Sequence, residues 1–390
     1  MKNKKSSHSV FLFRLLMNFF VNLFVSLLVV NFGMSCRVQA MELYEYNRPI
    51  RALGMGNVYL NFVKDTDAPS VNPAALGYVS GISVEMASLG LGVNGLDAYK
   101  NFSSSQGVSS SSDYDKYFGK KIWLGVNARL SAVMPNFGIS AYDDGKISMI
   151  LRNTAFPNID MNFLNDYGII IAGAFPIAPL TSMGVAIKRI NRWGGNQTIG
   201  LSTIAAGNSN TLRDEFENKG VGYGGDLALM MKLPSPLTPS FSLVWQDIGS
   251  TAFTKTTGND APPRIKDNLQ AGVGAVLDLP GLDISAGLEY KHINDTGVQI
   301  GNKIHTGLEI ALPFIDLRMG TNQGYATFGA GLSFLFLNLD AAYYNVETGE
   351  YPGQTPENRI MIGLSMNLSV DANFNFYGSD GKKRKLKQRR

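Results

Sequence analysis

Beyond Ser80 this 390-residue chain has no further apolar run approaching the ~20 residues that a helix needs to cross a bilayer. It carries segments of period-two alternation instead. Across 282–291, Leu282, Ile284, Ala286, Leu288 and Tyr290 fall on one face, and Asp283, Ser285, Gly287, Glu289 and Lys291 on the other. Residues 360–370 repeat the pattern, with Ile360, Ile362, Leu364, Met366, Leu368 and Val370 opposite Gly363, Ser365, Asn367 and Ser369. Residues 269–278 do the same, and in 304–310 His305, Gly307 and Glu309 lie opposite Ile304, Thr306, Leu308 and Ile310. A chain patterned in this way folds as antiparallel sheet with one oily and one polar face. Alternation alone leaves open whether the oily face meets lipid or the inside of a sandwich.

Connection lengths bear on that choice. Strands are expected at 82–94, 126–140, 146–157, 166–175, 181–193, 220–233, 238–248, 267–278, 282–293, 301–312, 315–320, 324–336, 338–346 and 358–370, about fourteen in all. The joins alternate between long ones, at 102–118, 194–220, 249–265 and 346–358, and short ones, at 142–146, 176–180, 234–239, 278–281 and 312–316. Long loops at one rim and tight turns at the other are the asymmetry of an outer-membrane barrel. The 42 glycines, 16 tyrosines and 22 phenylalanines suit tight bends and aromatic girdles. The expected fold class is all-β, a roughly 14-stranded antiparallel transmembrane β-barrel, with a soluble periplasmic β protein as the alternative.

The chain begins with a basic stretch, an apolar stretch at 11–30 and a Val-x-Ala pattern ending at Ala40, which together read as a secretory signal peptide. An uncleaved anchor helix is the alternative. Cys36, the single cysteine, lacks a proper lipobox ahead of it and offers no disulfide framework. The net charge of +4 is carried by the two ends, Lys2, Lys4, Lys5, Arg14 and Arg37 at one and the run 382–390 at the other, so the body between them is acidic. The domain reading is 1–40 signal peptide, 41–80 an N-terminal segment, 81–371 the barrel and 372–390 a basic tail. The tail reads as a solvated extension, or as a contact for anionic phospholipid headgroups or an acidic partner.

Between signal and barrel lies RALGMGNVYLNFVKDTDAPSVNPAAL, residues 51–76. Gly54 and Gly56 permit positive φ and close backbone approach. Asn72 is suited to cap a turn and Pro73 to open a short helix. Asp65 and Asp67 would be costly if buried alone, so Arg51, Lys64 or an inward strand residue such as Lys291 is expected beside them.

The order Arg-Ala-Leu-Gly-Met-Gly, then Asp-x-Asp-Ala, then Asn-Pro-Ala-x-Leu resembles the FadL-type outer-membrane transport family and its PorV-like relatives. That resemblance implies an N-terminal hatch folded into the barrel lumen, with Arg51, Gly54, Gly56, Asp65, Asp67, Asn72 and Pro73 as its motif. It further implies uptake of hydrophobic, fatty-acid-like or aromatic small molecules from the bacterial outer membrane, with lateral exit where a strand is interrupted. Pro135, read as lying inside a strand, is the expected gap. The alternative within the same resemblance is a PorV-like docking platform for secreted or periplasmic proteins. A surface loop before the first strand is the plain alternative to the hatch.

Glu289, Lys291, His305 and Glu309 are expected to form an inward ionic cluster that lumen polarity explains without catalysis. His8, His292 and His305, the three histidines, are too few for a metal centre. The stretch 220–226 lacks the Lys-Ser/Thr ending of a phosphate loop. No enzyme activity, metal, cofactor or nucleic-acid partner is expected; the expected partners are membrane lipid, a hydrophobic ligand and, in the alternative, a protein.

Overall fold

The computed structural model describes residues 43, 45, 47–94, 119, 121–152, 158–200, 217–349 and 351–371. The strands are β1 (Gly81–Asn94), β2 (Lys121–Met134), β3 (Phe137–Arg152), β4 (Asn158–Ala178), β5 (Thr181–Gly200), β6 (Lys219–Lys232), β7 (Ser240–Gln246), β8 (Phe253–Thr257), β9 (Asn268–Leu279), β10 (Leu282–Tyr290), β11 (Ile304–Ala311), β12 (Ile315–Asn322), β13 (Tyr325–Phe334), β14 (Leu337–Glu347) and β15 (Pro356–Asp371). Each pairs antiparallel with its neighbours, and β1 pairs with β15 from Gly81↔Asp371 to Asn94↔Arg359, which closes the sheet. Fourteen strands form the ring. The fifteenth, β8, continues the line of β7 along β6, so that β6 is bordered by β7 at one end and β8 at the other. A closed ladder leaves no edge unpaired, the condition for a sheet in hydrocarbon.

The direction of the side chains is unambiguous. On β5, Ile187 is 67% exposed and its neighbour Lys188 1%. Leu89 and Leu91, Ile169 and Ile171, and Ile362 and Leu364 point outward, while Glu85, Asp166, Glu289, Glu309, Arg318 and Arg359 are buried inside. A soluble sandwich would invert this arrangement, so the chain is a transmembrane barrel of the outer-membrane type. Phe314, Phe334 and Phe336 ring the rim that carries the short turns, where aromatic girdles sit.

Two local expectations are overturned. Pro135 is not inside a strand: Pro135 and Asn136 make the two-residue turn joining β2 to β3, with Asn136 at φ 66°. The β2–β3 ladder runs unbroken from Met134↔Phe137 to Lys121↔Ile150, so no gap opens there. Residues 142–146, expected as a turn, lie in the middle of β3. Asp144 belongs to the polar inner face while Asp143 is exposed on the other side of the strand, and one misplaced turn replaced another without altering the strand count. The 1–40 signal region and the 372–390 tail lie outside the described residues.

Candidate functional site

The segment 47–79 occupies the interior. It is built from one-turn helices at Ile50–Gly54 and Ala68–Val71 and 3-10 turns at Asp65–Asp67 and Pro73–Tyr78. Such short elements have no independent stability, and they are held by the wall that surrounds them. Asn72 Oδ1 accepts from the Ala74 N–H at 3.1 Å and Asn72 Nδ2 donates to the Leu60 carbonyl at 2.9 Å, with Pro73 at the first helical position behind the cap.

The two glycines of the motif meet the wall backbone directly. A Cβ on Gly54 would fall 2.8 Å from the Cα of Gly329, and one on Gly56, at φ 68°, would fall 2.2 Å from the Thr306 carbonyl. On the opposite wall Gly184 makes room for the Pro73–Ala74 peptide in the same way. Two kinds of contact then divide the interior. Toward β4–β7 the segment presents Leu60, Val71, Ala74 and Leu76 to Ile170, Ala172, Ala174, Ala186, Ala228, Met230 and Val244, all buried. Ionic contacts lie toward β1, β2 and β10–β12, beside the glycine contacts above and a smaller apolar cluster of Leu53 with Ala342, Tyr344, Val346 and Met361.

The ionic side forms one chain from wall to wall. Glu85 on β1 accepts from Arg129 Nε at 2.6 Å, and Arg129 pairs in turn with Asp67. Asp67 Oδ2 accepts from the Tyr59 hydroxyl at 2.6 Å, and that hydroxyl accepts from Arg51 Nη1 at 3.4 Å. Arg51 Nε donates to Glu309 Oε2 at 2.7 Å; Arg318 Nε reaches the same oxygen at 2.6 Å and continues to Asp316 at 3.0 Å and Asp340 at 2.5 Å. Buried charges are tolerable when each has a partner of opposite sign, and here each does. Burial, reinforced by the Asp67 carboxylate, holds the Tyr59 hydroxyl well above its usual range, so it remains a donor.

Asp67 is paired by an inward strand residue, as expected, but that residue is Arg129 and not Lys291. Arg51 serves Glu309, Lys291 serves Glu45 and Glu289 at 3.4 and 3.6 Å, and Asp65 accepts from Ser83 Oγ at 3.3 Å. Arg129, which takes Asp67, was missed by sequence reasoning; its signal was a cation in phase with the inward Ser131 and Val133 of the same strand. The expected cluster of Glu289, Lys291, His305 and Glu309 is likewise divided. Glu289 accepts the N–H groups of Tyr59 and Leu60, both at 2.5 Å, His305 Nδ1 lies 3.2 Å from the Gly56 carbonyl, and Glu309 belongs to the Arg51 chain. Around Lys291 stands Glu45; burial alone would raise its carboxyl, but Arg48, Lys291 and His292 together hold it well below the usual range.

A second ionic group, also missed from sequence, ties the wall to itself between β4 and β7. Lys188 Nζ bridges Asp226 and Asp247 at 2.7 and 2.9 Å, and Arg192 binds Asp166 at 2.6 Å while donating to the Pro263 carbonyl at 2.7 Å. Phe253 and Ile265 pack on Ile190 beside it, so residues of the β7–β9 connection fold inward over this side of the mouth.

No protein-family model matches the chain, and no curated protein does. Among solved structures it is similar to a TodX deltaS2S3 mutant monoaromatic hydrocarbon channel, with a TM-score of 0.48 and 12% identity over 85% of this chain and 100% of that one. It is similar to the CymD monoaromatic hydrocarbon channel, with a TM-score of 0.47 and 12% identity over 85% and 99% of the two chains. A Pseudomonas aeruginosa FadL homologue is similar at a TM-score of 0.35 and 11% identity over 85% and 99%. At these identities the likeness is one of architecture.

Proposed function

We propose that the protein is a gated outer-membrane channel for small hydrophobic molecules, with segment 47–79 as the gate. The observation that carries this reading is the apolar strip on the inner wall. Barrel interiors are polar by rule, yet Ile170, Ala172, Ala174, Ala186, Ala228, Met230 and Val244 face inward together and are covered by the segment. Displacing the segment uncovers an oily groove on β4–β7, inside a wall that elsewhere carries the ionic chain. The ionic chain through Arg51 and Arg129 holds the segment in the closed position.

A second reading, a docking platform for secreted or surface proteins, has its own supporting observation. With the segment in place, the two cavities that flank Arg48 and Asn127 measure only about 50 and about 70 Å³, too small for an aromatic or acyl ligand. Uptake of a lipophilic fluorescent probe by proteoliposomes distinguishes the two. Under the channel reading Arg129→Ala raises uptake over the parent protein. Uptake equal to that of protein-free vesicles in both would leave the docking reading.

A further inference from the structure

The segment does not seal against the wall equally all round. Against β4–β7 and against the glycines of β11–β13 it packs dry, whereas against β1, β2, β14 and β15 the apolar contacts of Ile50 and Leu53 leave space of mixed lining beside them. Two cavities lie on that side, of about 50 and about 70 Å³, and Arg48 and Asn127 border both. A third of about 20 Å³ also ends on Arg48. About 15 Å³ suffices for one water, so the smallest holds one and the others several.

The cavities follow one another along the barrel axis. The larger reaches Gln323, in the turn between β12 and β13 at the long-loop rim. The other reaches Asn367, whose N–H donates to the Phe336 carbonyl in a turn at the opposite rim. Side-chain atoms without a protein partner line this route: Asn47 Nδ2, Asn57 Oδ1, Asn322 Oδ1 and Asn367 Oδ1. Asn47, Asn57 and Asn322 are 7%, 6% and 4% exposed, and buried amides left unpaired by protein are sites for bound water.

We propose that this seam is a water-filled path by which small inorganic ions cross the membrane while the segment stays in place, with the Arg48 side chain, at the junction of the cavities, as its narrowest point. Gly90, paired with Asn127 across β1 and β2, has no side chain to crowd the route: a Cβ there would fall 2.2 Å from Asn127 Oδ1. The path is separate from the oily groove under the segment, and it stands whether or not hydrophobic molecules pass.

Purified protein in planar lipid bilayers bathed in potassium chloride tests it. The parent protein gives small, steady conductance steps, and Arg48→Ala enlarges them several-fold. Asn127→Cys gives steps of its own size, measured before treatment, and these cease when a charged methanethiosulfonate reagent is added after insertion, while the parent protein is insensitive to the reagent. Because the thiol is modified only after folding, loss of conductance there is not a folding defect. Silent bilayers for both the parent and Arg48→Ala, with inserted protein verified by heat-modifiable gel migration, overturn the proposal. So does an unchanged conductance of Asn127→Cys after mass spectrometry shows complete modification.

Discussion

Arg129 is where a single side chain bears most on the seating of the segment, because it neutralises two carboxylates, Asp67 from the segment and Glu85 from the wall. Arg129→Ala leaves both buried without a cation and is expected to cost about 3–5 kcal/mol, read as a lower urea midpoint. Adding Asp67→Asn and Glu85→Gln to it recovers part of the loss. Gly56→Ala is expected to cost more than Gly281→Ala, since both glycines have positive φ but only Gly56 has wall atoms within reach. The φ penalty, common to both, is of order 1–2 kcal/mol, and the excess reports the wall contact. Burial pushes His292 down to about 4 from an ordinary value near 6.5. Its folded form is therefore the neutral one, and the stability it contributes is complete above about pH 6.5 and lost as pH falls toward 4. His292→Asn should flatten the midpoint-versus-pH curve within that window. At this scale the sequence was legible where the demand is local, as at Gly54, Gly56 and the Asn72–Pro73 cap. The partner of Asp67 was not legible, because Arg129 comes beside it only when β2 is placed in the wall.

Among the elements, the β2–β3 turn shows how a barrel misleads a reading based on polarity. Asp143, Asp144 and Gly145 look like a turn in isolation, but Asp144 lies on the inner face and accepts the Asn47 N–H. The true turn is shorter: Pro135 presets its first position, and Asn136 tolerates the left-handed second. Pro135→Ala is accordingly expected to change stability by no more than about 0.5 kcal/mol and to leave probe uptake unaltered. Asn136→Val is expected to cost about 1–2 kcal/mol, since a β-branched residue resists positive φ. β8 was missed for a different reason. Its exposed residues Thr254–Thr257 carry no oily face, so nothing in their pattern marks them as a continuation of β7.

Over the whole molecule, the fourteen-stranded wall could be anticipated because its physics repeats: every hairpin obeys the same alternation, so errors of a few residues in single boundaries did not accumulate. The same rule fixes the cost of violating it. Ile187→Arg, on the lipid face, is expected to destabilise by about 2–4 kcal/mol in vesicles if the position lies near the midplane. The division of the segment's contacts into oily and ionic ones could not be read in advance, since it depends on which strands the segment happens to face. That division also has a bearing on biogenesis. Arg51 finds Glu309 across 258 positions of sequence, and the segment precedes the very strand, β1, that meets β15 to complete the ring. The earliest-synthesised part of the body is thus among the last to find its seat, a topology that makes for slow maturation. Once the hoop is fastened around it, the only ways out are the two open ends.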